Sequence, residues 1–222
     1  MFFFSILAII FNLKNKNKVP VILHRTVAPD VEFALWQITE NWDELVQLYN
    51  HYDSNLSFLE SYRLEPRKKQ TLSARLALYF LLKQFSPLRY TENGKPVLES
   101  GFISLSHTQD LASAVFSKKY PVGIDTEKVS DKILRIYPKF MSDTELEHLE
   151  LTPKNLHLYW GAKEAMYKMY DAKGLIFQTD LSVQFNTAEE GQGEIHLPQG
   201  LKEVMLSSYL IQNTVTVVAY SL

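Results

Sequence analysis

The chain has no cysteine, which removes disulfides, zinc–thiolate sites and thiol nucleophiles at one stroke and fits a reducing cytoplasm. It also lacks an excess of either charge. Lys and Arg number 23 against 25 Asp and Glu, a formal net charge of −2. A nucleic-acid partner would demand a basic footprint, so none is expected, and attraction for an anionic ligand has to come from local clustering. A bilayer-spanning run is missing too. The most apolar stretch, Phe2 to Phe11, is far short of the roughly 20 residues a spanning helix needs. It has neither the charged start nor the small-residue cleavage site of a secretory signal. With Lys14, Lys16 and Lys18 following among asparagines, residues 1–18 are expected to be a non-native or disordered leader, dispensable for folding, ahead of a domain beginning near Val19. A membrane-surface anchor is the alternative. No residue-level repeat is evident.

What is present is ample for a sizeable core: 222 residues make one large domain or two small intimate ones. Val21–Val27 and Glu32–Thr39 read as strands, and Asn41 with Glu44 starts a short helix, Trp42–Tyr49. Another short helix is expected over Ser54–Tyr62. Pro66 then opens a long helix through Phe85, with Leu72, Leu76, Tyr79, Phe80 and Lys83 at helical spacing and Pro87 beyond its end. Leu88–Thr91 and Pro96–Leu98 flank a Glu92-Asn93-Gly94-Lys95 turn, and three more strands follow at 102–106, 112–117 and 122–129. Ser142-Asp143-Thr144-Glu145 is a capping box. Thr152-Pro153 introduces a second long helix that Gly174 ends, and strands at 183–185, 194–197, 204–211 and 214–220 close the chain around a Gln212-Asn213 turn. The order predicts an α+β protein of two similar halves, each an antiparallel sheet packed on a long helix: residues 19–119 and 120–222.

Two stretches carry the chemistry. In Gly123-Ile124-Asp125-Thr126-Glu127-Lys128, read as a strand, Asp125 and Glu127 point to one side. In Trp160-Gly161-Ala162-Lys163-Glu164-Ala165-Met166-Tyr167-Lys168, read as a helix, Leu158, Ala162, Ala165, Met166 and Met169 form an apolar stripe. Trp160, Lys163, Glu164, Tyr167, Lys168 and Asp171 fall on the opposite side. Taken singly, each stretch fits an ordinary solvated strand or an amphipathic helix. Taken together, three carboxylates and nearby ammonium groups suit a hard cation that takes few protein oxygens and shares itself with phosphate and water.

Gly123-Ile124-Asp125-x-Glu127-Lys128 followed by Trp160-x-x-Lys163-Glu164-Ala165-x-x-Lys168 resembles the 4′-phosphopantetheinyl transferase superfamily. The length resembles its two-half surfactin-synthetase-activating (Sfp) type, a pseudodimer, and not the short trimeric holo-carrier-protein synthases. Asn93-Gly94-Lys95-Pro96 is similar to the family's Gly-Lys-Pro turn. Ile103-Ser104-Leu105-Ser106-His107 is similar to its Asn-x-Ser-His segment, with Ser104 in place of the usual Asn, and Phe140-Met141-Ser142-x-x-Glu145 is similar to the segment between the signatures. The resemblance implies transfer of the phosphopantetheine arm of coenzyme A to a serine of an apo acyl or peptidyl carrier protein. It implies Mg²⁺, or Mn²⁺, held by Asp125, Glu127 and Glu164. Glu164, Lys168 and Asp125 become the catalytic set, with Glu164, then Glu127, as proton acceptor.

Coenzyme A contacts implied by the same resemblance are Lys95, Ser106, His107, Lys163 and Lys168, joined by Lys69, Thr71 and Arg75 from the basic region of the first long helix. An apolar and basic segment, Lys132–Phe140, suits an acidic carrier, though core packing explains its apolar residues equally well. The expected protein is a cytoplasmic monomer acting on coenzyme A and a carrier, without nucleic-acid or membrane partners. Hydrolysis of a nucleotide or coenzyme A pyrophosphate, or coenzyme A or carrier binding without turnover, are the other readings.

Overall fold

Asn41 begins the first helix as read: its side chain accepts from the Glu44 backbone while Glu44 returns a bond to the Asn41 N–H, and α1 (Trp42–Tyr49) follows. The computed structural model describes residues 20–170 and 174–221, so the expected leader, residues 1–18, and Asp171 lie outside the described residues. Strands β1 (Val21–Ala28) and β2 (Val31–Gln37) precede α1. A single 3₁₀ turn, Ser57–Leu59, stands where a helix over Ser54–Tyr62 was expected. The long helix α2 (Glu65–Leu82) carries Pro66 in its first turn, starting one residue before the expected Pro66, and stops three residues early, where Lys83 takes a left-handed conformation (φ 58°). A short hairpin, β3 (Arg89–Tyr90) and β4 (Pro96–Val97), leads to β5 (Phe102–His107) and β6 (Leu111–Ser117). Strands β1, β2, β5 and β6 form an antiparallel sheet in the order β1-β2-β6-β5.

From Val122 a second sheet takes over. β7 (Val122–Lys128), β8 (Leu181–Phe185), β9 (Glu190–Leu197), β10 (Gly200–Ile211) and β11 (Thr214–Tyr220) pair in the order β7-β11-β10-β9-β8, all antiparallel. The Gln212-Asn213 turn has both residues at positive φ, 48° and 62°, which a two-residue hairpin of matching twist requires. Between β7 and β8 run two 3₁₀ turns (Asp131–Arg135 and Tyr137–Lys139), then α3 (Asp143–Glu147), α4 (Pro153–Tyr170) and α5 (Phe177–Asp180). The Ser142–Glu145 capping box is formed.

Period-2 alternation sets the layers. On β2, Ala34 and Trp36 pack beneath α2, while Val31, Phe33 and Leu35 face the other way. On β7 and β11, Ile124 and Val218 face Val31, Phe33 and Leu35 across a core shared by the two sheets. Val215, Val217 and Ala219 face α4 instead. The result is a helix–sheet–sheet–helix stack of mixed α and β structure. Among the described residues, no helix is long and apolar enough to cross a membrane.

Candidate functional site

One glycine, Gly123, brings the carboxylate strand and the second long helix almost into backbone contact, and a second, Gly161, lets the helix sit close to β11. A Cβ on Gly123 would lie 1.9 Å from the Ala165 carbonyl oxygen, and one on Gly161 would meet a Val217 methyl at 3.3 Å. β7 and α4 can lie this close only because position 123 carries no side chain. Asp125 sits at this junction, 3 % exposed. Its Oδ1 accepts from Lys168 Nζ at 2.5 Å and from Ser106 Oγ at 3.0 Å. Lys168 Nζ also lies 3.2 Å from Ser106 Oγ and 3.3 Å from the Ile124 carbonyl. Asp125 Oδ2 is buried with no hydrogen-bond partner, an uncommon condition for a carboxylate oxygen.

Two further carboxylates stand near. Glu127 is pushed up to about 7 by burial and by the charge of Asp125, against which the Trp160 indole donates a hydrogen bond and Lys168 a positive charge. Burial and Asp125 also raise Glu164, with Lys168 opposing. Two carboxylates raised by burial and by the negative charge of Asp125 suit an added cation, and so does an Asp125 oxygen without a donor. Among the described residues no three carboxylate or imidazole side chains converge as a ready-made ion cage. The donor set fits an ion bound largely by phosphate and water, with Lys168 supplying positive charge on Asp125.

The first half closes the site from the other side. His107, at the end of β5, has Nδ1 3.2 Å from Arg67 Nη1 of α2. Arginine only donates, so Nδ1 accepts and the ring proton resides on Nε2. Burial, with Arg67 and Lys168 adding like charge, lowers His107 to about 4, so the ring is neutral at pH 7. Arg67 belongs to the basic region of the first long helix, from which Lys69, Thr71 and Arg75 were the expected contacts; its pairing with a histidine 40 positions away leaves no local signal.

The other expected contacts separate. Lys163 is a correction: far from facing a phosphate, it is 0 % exposed, and its Nζ donates to the Phe140 carbonyl (2.7 Å), Glu145 Oε2 (2.8 Å) and the Phe177 carbonyl (2.8 Å). Those bonds use every donor an ammonium has. Burial pulls it below the usual lysine range, opposed by Glu145. Helical phase placed Lys163 on the open side, but the 140–145 segment and α5 fold over that side. Arg75 is likewise buried. It donates to the Tyr49 and Tyr90 hydroxyls (3.2 and 2.8 Å) and stacks 3.3 Å from the centre of the Phe58 ring, so it meets no ligand directly in this arrangement. Thr71 Oγ1 bonds back to the Arg67 carbonyl. Lys69 lies about 200° round α2 from Arg67, away from His107. Lys95 Nζ donates to the Met169 carbonyl near the end of α4, linking the hairpin turn to the site helix.

The segment from β7 to β11 holds every one of the three carboxylates and Lys168. Residues 121–217 match the 4′-phosphopantetheinyl transferase superfamily. The match spans the second sheet and α4, and leaves the first half outside it. A comparison with curated proteins finds no significant match. The Asp125 strand and the Glu164 helix both lie within the matched span, and Ser106, His107 and Arg67 come to the same place from outside it.

Proposed function

We propose that the chain is a two-half, Sfp-type 4′-phosphopantetheinyl transferase that modifies a serine of an apo acyl or peptidyl carrier protein. The observation that carries this reading is the buried, half-unpartnered Asp125 carboxylate beside Glu127, Glu164 and Lys168, within the span that matches the superfamily. The carrier serine Oγ attacks the phosphorus bearing the pantetheine arm of coenzyme A. The bond from that phosphorus to the bridging oxygen breaks, giving a serine phosphodiester and adenosine 3′,5′-bisphosphate.

Asp125, Glu127 and Glu164 would hold Mg²⁺ (or Mn²⁺), which when bound neutralises the pyrophosphate and polarises the phosphorus under attack. Glu164 takes the serine proton, directly or through water; burial and the charge of Asp125 raise its proton affinity above that of an ordinary carboxylate. Lys168 stabilises charge on the leaving oxygens. Neutral His107 offers Nε2–H to a coenzyme A phosphate, Ser106 its hydroxyl, and Lys95 a charge at the α4 end. The remaining catalysis is positioning, as in other phosphoryl transfers. The helix–sheet–sheet–helix stack is read as a pseudodimer, so that each half covers the other and the chain acts as a monomer.

Incubating the protein with coenzyme A, Mg²⁺ and several apo carriers, and weighing the carriers, tests the proposal. One phosphopantetheine should be gained on at least one carrier, with loss of about a hundredfold or more in rate for Asp125→Ala or Glu164→Ala. Free phosphopantetheine without carrier labelling would replace it with hydrolysis. Lys168→Ala should lower turnover more than coenzyme A affinity; an equal loss of both would make Lys168 a binding residue only.

A further inference from the structure

Lys163 and Glu145 form a buried ion pair that direct phosphate contact does not explain. Lys163 Nζ bridges two backbone carbonyls from separate segments, those of Phe140 and Phe177. Glu145 uses Oε2 for Lys163 and the Ser142 N–H, and Oε1 for the Val183 N–H on β8. The side chains of those same two phenylalanines flank Trp160. The Phe140 ring lies 5.0 Å away in edge-on geometry, and the Phe177 ring lies 5.5 Å away. Tyr167, nearly two helical turns on and next to Lys168, adds a contact to Phe177 at 5.6 Å. The indole so enclosed is the donor facing Glu127.

Burying a lysine costs several kcal/mol in lost hydration, and an ion pair of this kind is often replaceable by apolar side chains without loss of stability. What apolar side chains cannot do is fix two carbonyls from different segments at one point. We propose that Lys163 and Glu145 are positioning residues: they set the Phe140–Trp160–Phe177 aromatic group, and through the Trp160 indole they orient the Glu127 carboxylate toward the site. The proposal rests on Glu127 belonging to the site, and it needs no contact between Lys163 and substrate. The tryptophan of the Trp-x-x-Lys-Glu stretch acquires a role as well, because the Lys three residues on holds the rings that hold the indole.

The test uses the full chain labelled with ¹⁵N-tryptophan, the Trp160 indole resonance being assigned by its loss in Trp160→Phe. Glu127→Gln should shift that resonance in the parent protein. In the double variant Lys163→Met/Glu145→Leu, which leaves no lone buried charge, the resonance should broaden and the Glu127→Gln shift should vanish. The Mg²⁺ midpoint, read by thermal shift, should rise about tenfold, the scale seen for groups that orient metal ligands. A Glu127→Gln shift equal in the parent and the double variant overturns the proposal. If the double variant does not fold, Phe177→Leu, which keeps the ion pair and removes one flanking ring, must reduce the same shift, and an undiminished shift overturns it. A parent protein with no Mg²⁺ response but a Glu127→Gln shift lost in the double variant would remove the metal reading alone and leave the positioning role standing.

Discussion

The two halves share a layering, a long helix on an antiparallel sheet, and differ in what their buried cations meet. In the first half Arg75 is buried against phenols and a ring: Tyr49, Tyr90 and Phe58. In the second half Lys163 meets Glu145, and Lys168 meets Asp125. Neutral partners leave the charge of Arg75 uncompensated, so the first half contributes positive potential and a wall. Carboxylate partners make the second half the place where the proposed function seats a cation and phosphates. The helices differ to match. α2 is separated from its sheet by packed side chains such as Leu72, Leu76 and Tyr79, whereas α4 lies on β7 across Gly123.

The contrast is broken most severely at that glycine. Gly123→Ala places a methyl 1.9 Å from the Ala165 carbonyl, so α4 must move off β7. We expect a loss of about 3 kcal/mol or more in unfolding free energy, at the upper end of overpacking costs, seen in denaturant melts. Alanine at Gly94, where no heavy atom lies within 4 Å of the added methyl, meets only the strain of its φ of 83° and should lose less.

Glu127 sharpens the contrast through pH. Its carboxyl, raised to about 7 from 4.5, holds a proton in the folded state that the unfolded chain has already released, so stability falls as pH rises from 4.5 through 7. Glu127→Gln should therefore match the parent at pH 4 and exceed it at pH 8. The gain is on the order of 1–3 kcal/mol once solvent screening is allowed for. Saturating Mg²⁺ should narrow the gap by stabilising the parent. Equal melting curves at pH 8 would show that Glu127 is not crowded by its neighbours.

The smallest effect is expected in the first half. Arg75→Met should raise the KM for coenzyme A a few-fold, leave kcat near the parent value, and keep the melting temperature close to it. A collapse in kcat would place Arg75 among the reacting groups and erase the distinction between the halves.

Local signals in the sequence were legible where a single segment decides the outcome. Both capping boxes, the Gln212-Asn213 turn, the common face of Asp125 and Glu127 and most of the α4 apolar stripe follow from spacing alone. β9 and β10 run longer than their apolar residues indicate, because Gly191, Gly193 and Gly200 interrupt the β-forming pattern. Read together, the two stretches anticipate the meeting of Asp125 with Lys168. The place of Lys163 was not legible, since its surroundings come from residues 140, 145 and 177, and helical phase carries no information about what packs over a face. The pairing of Arg67 was hidden for the same reason: its partner His107 arrives from β5.

The central claim is that Asp125, Glu127 and Glu164 share one divalent ion beside Lys168. Electron paramagnetic resonance of Mn²⁺ titrated into the purified chain tests it directly, because free and bound Mn²⁺ are counted separately. The account predicts one bound ion per chain, held more tightly when coenzyme A is present and lost in both Asp125→Asn and Glu164→Gln. Binding that survives both substitutions, or no bound ion with coenzyme A at saturation, would contradict it.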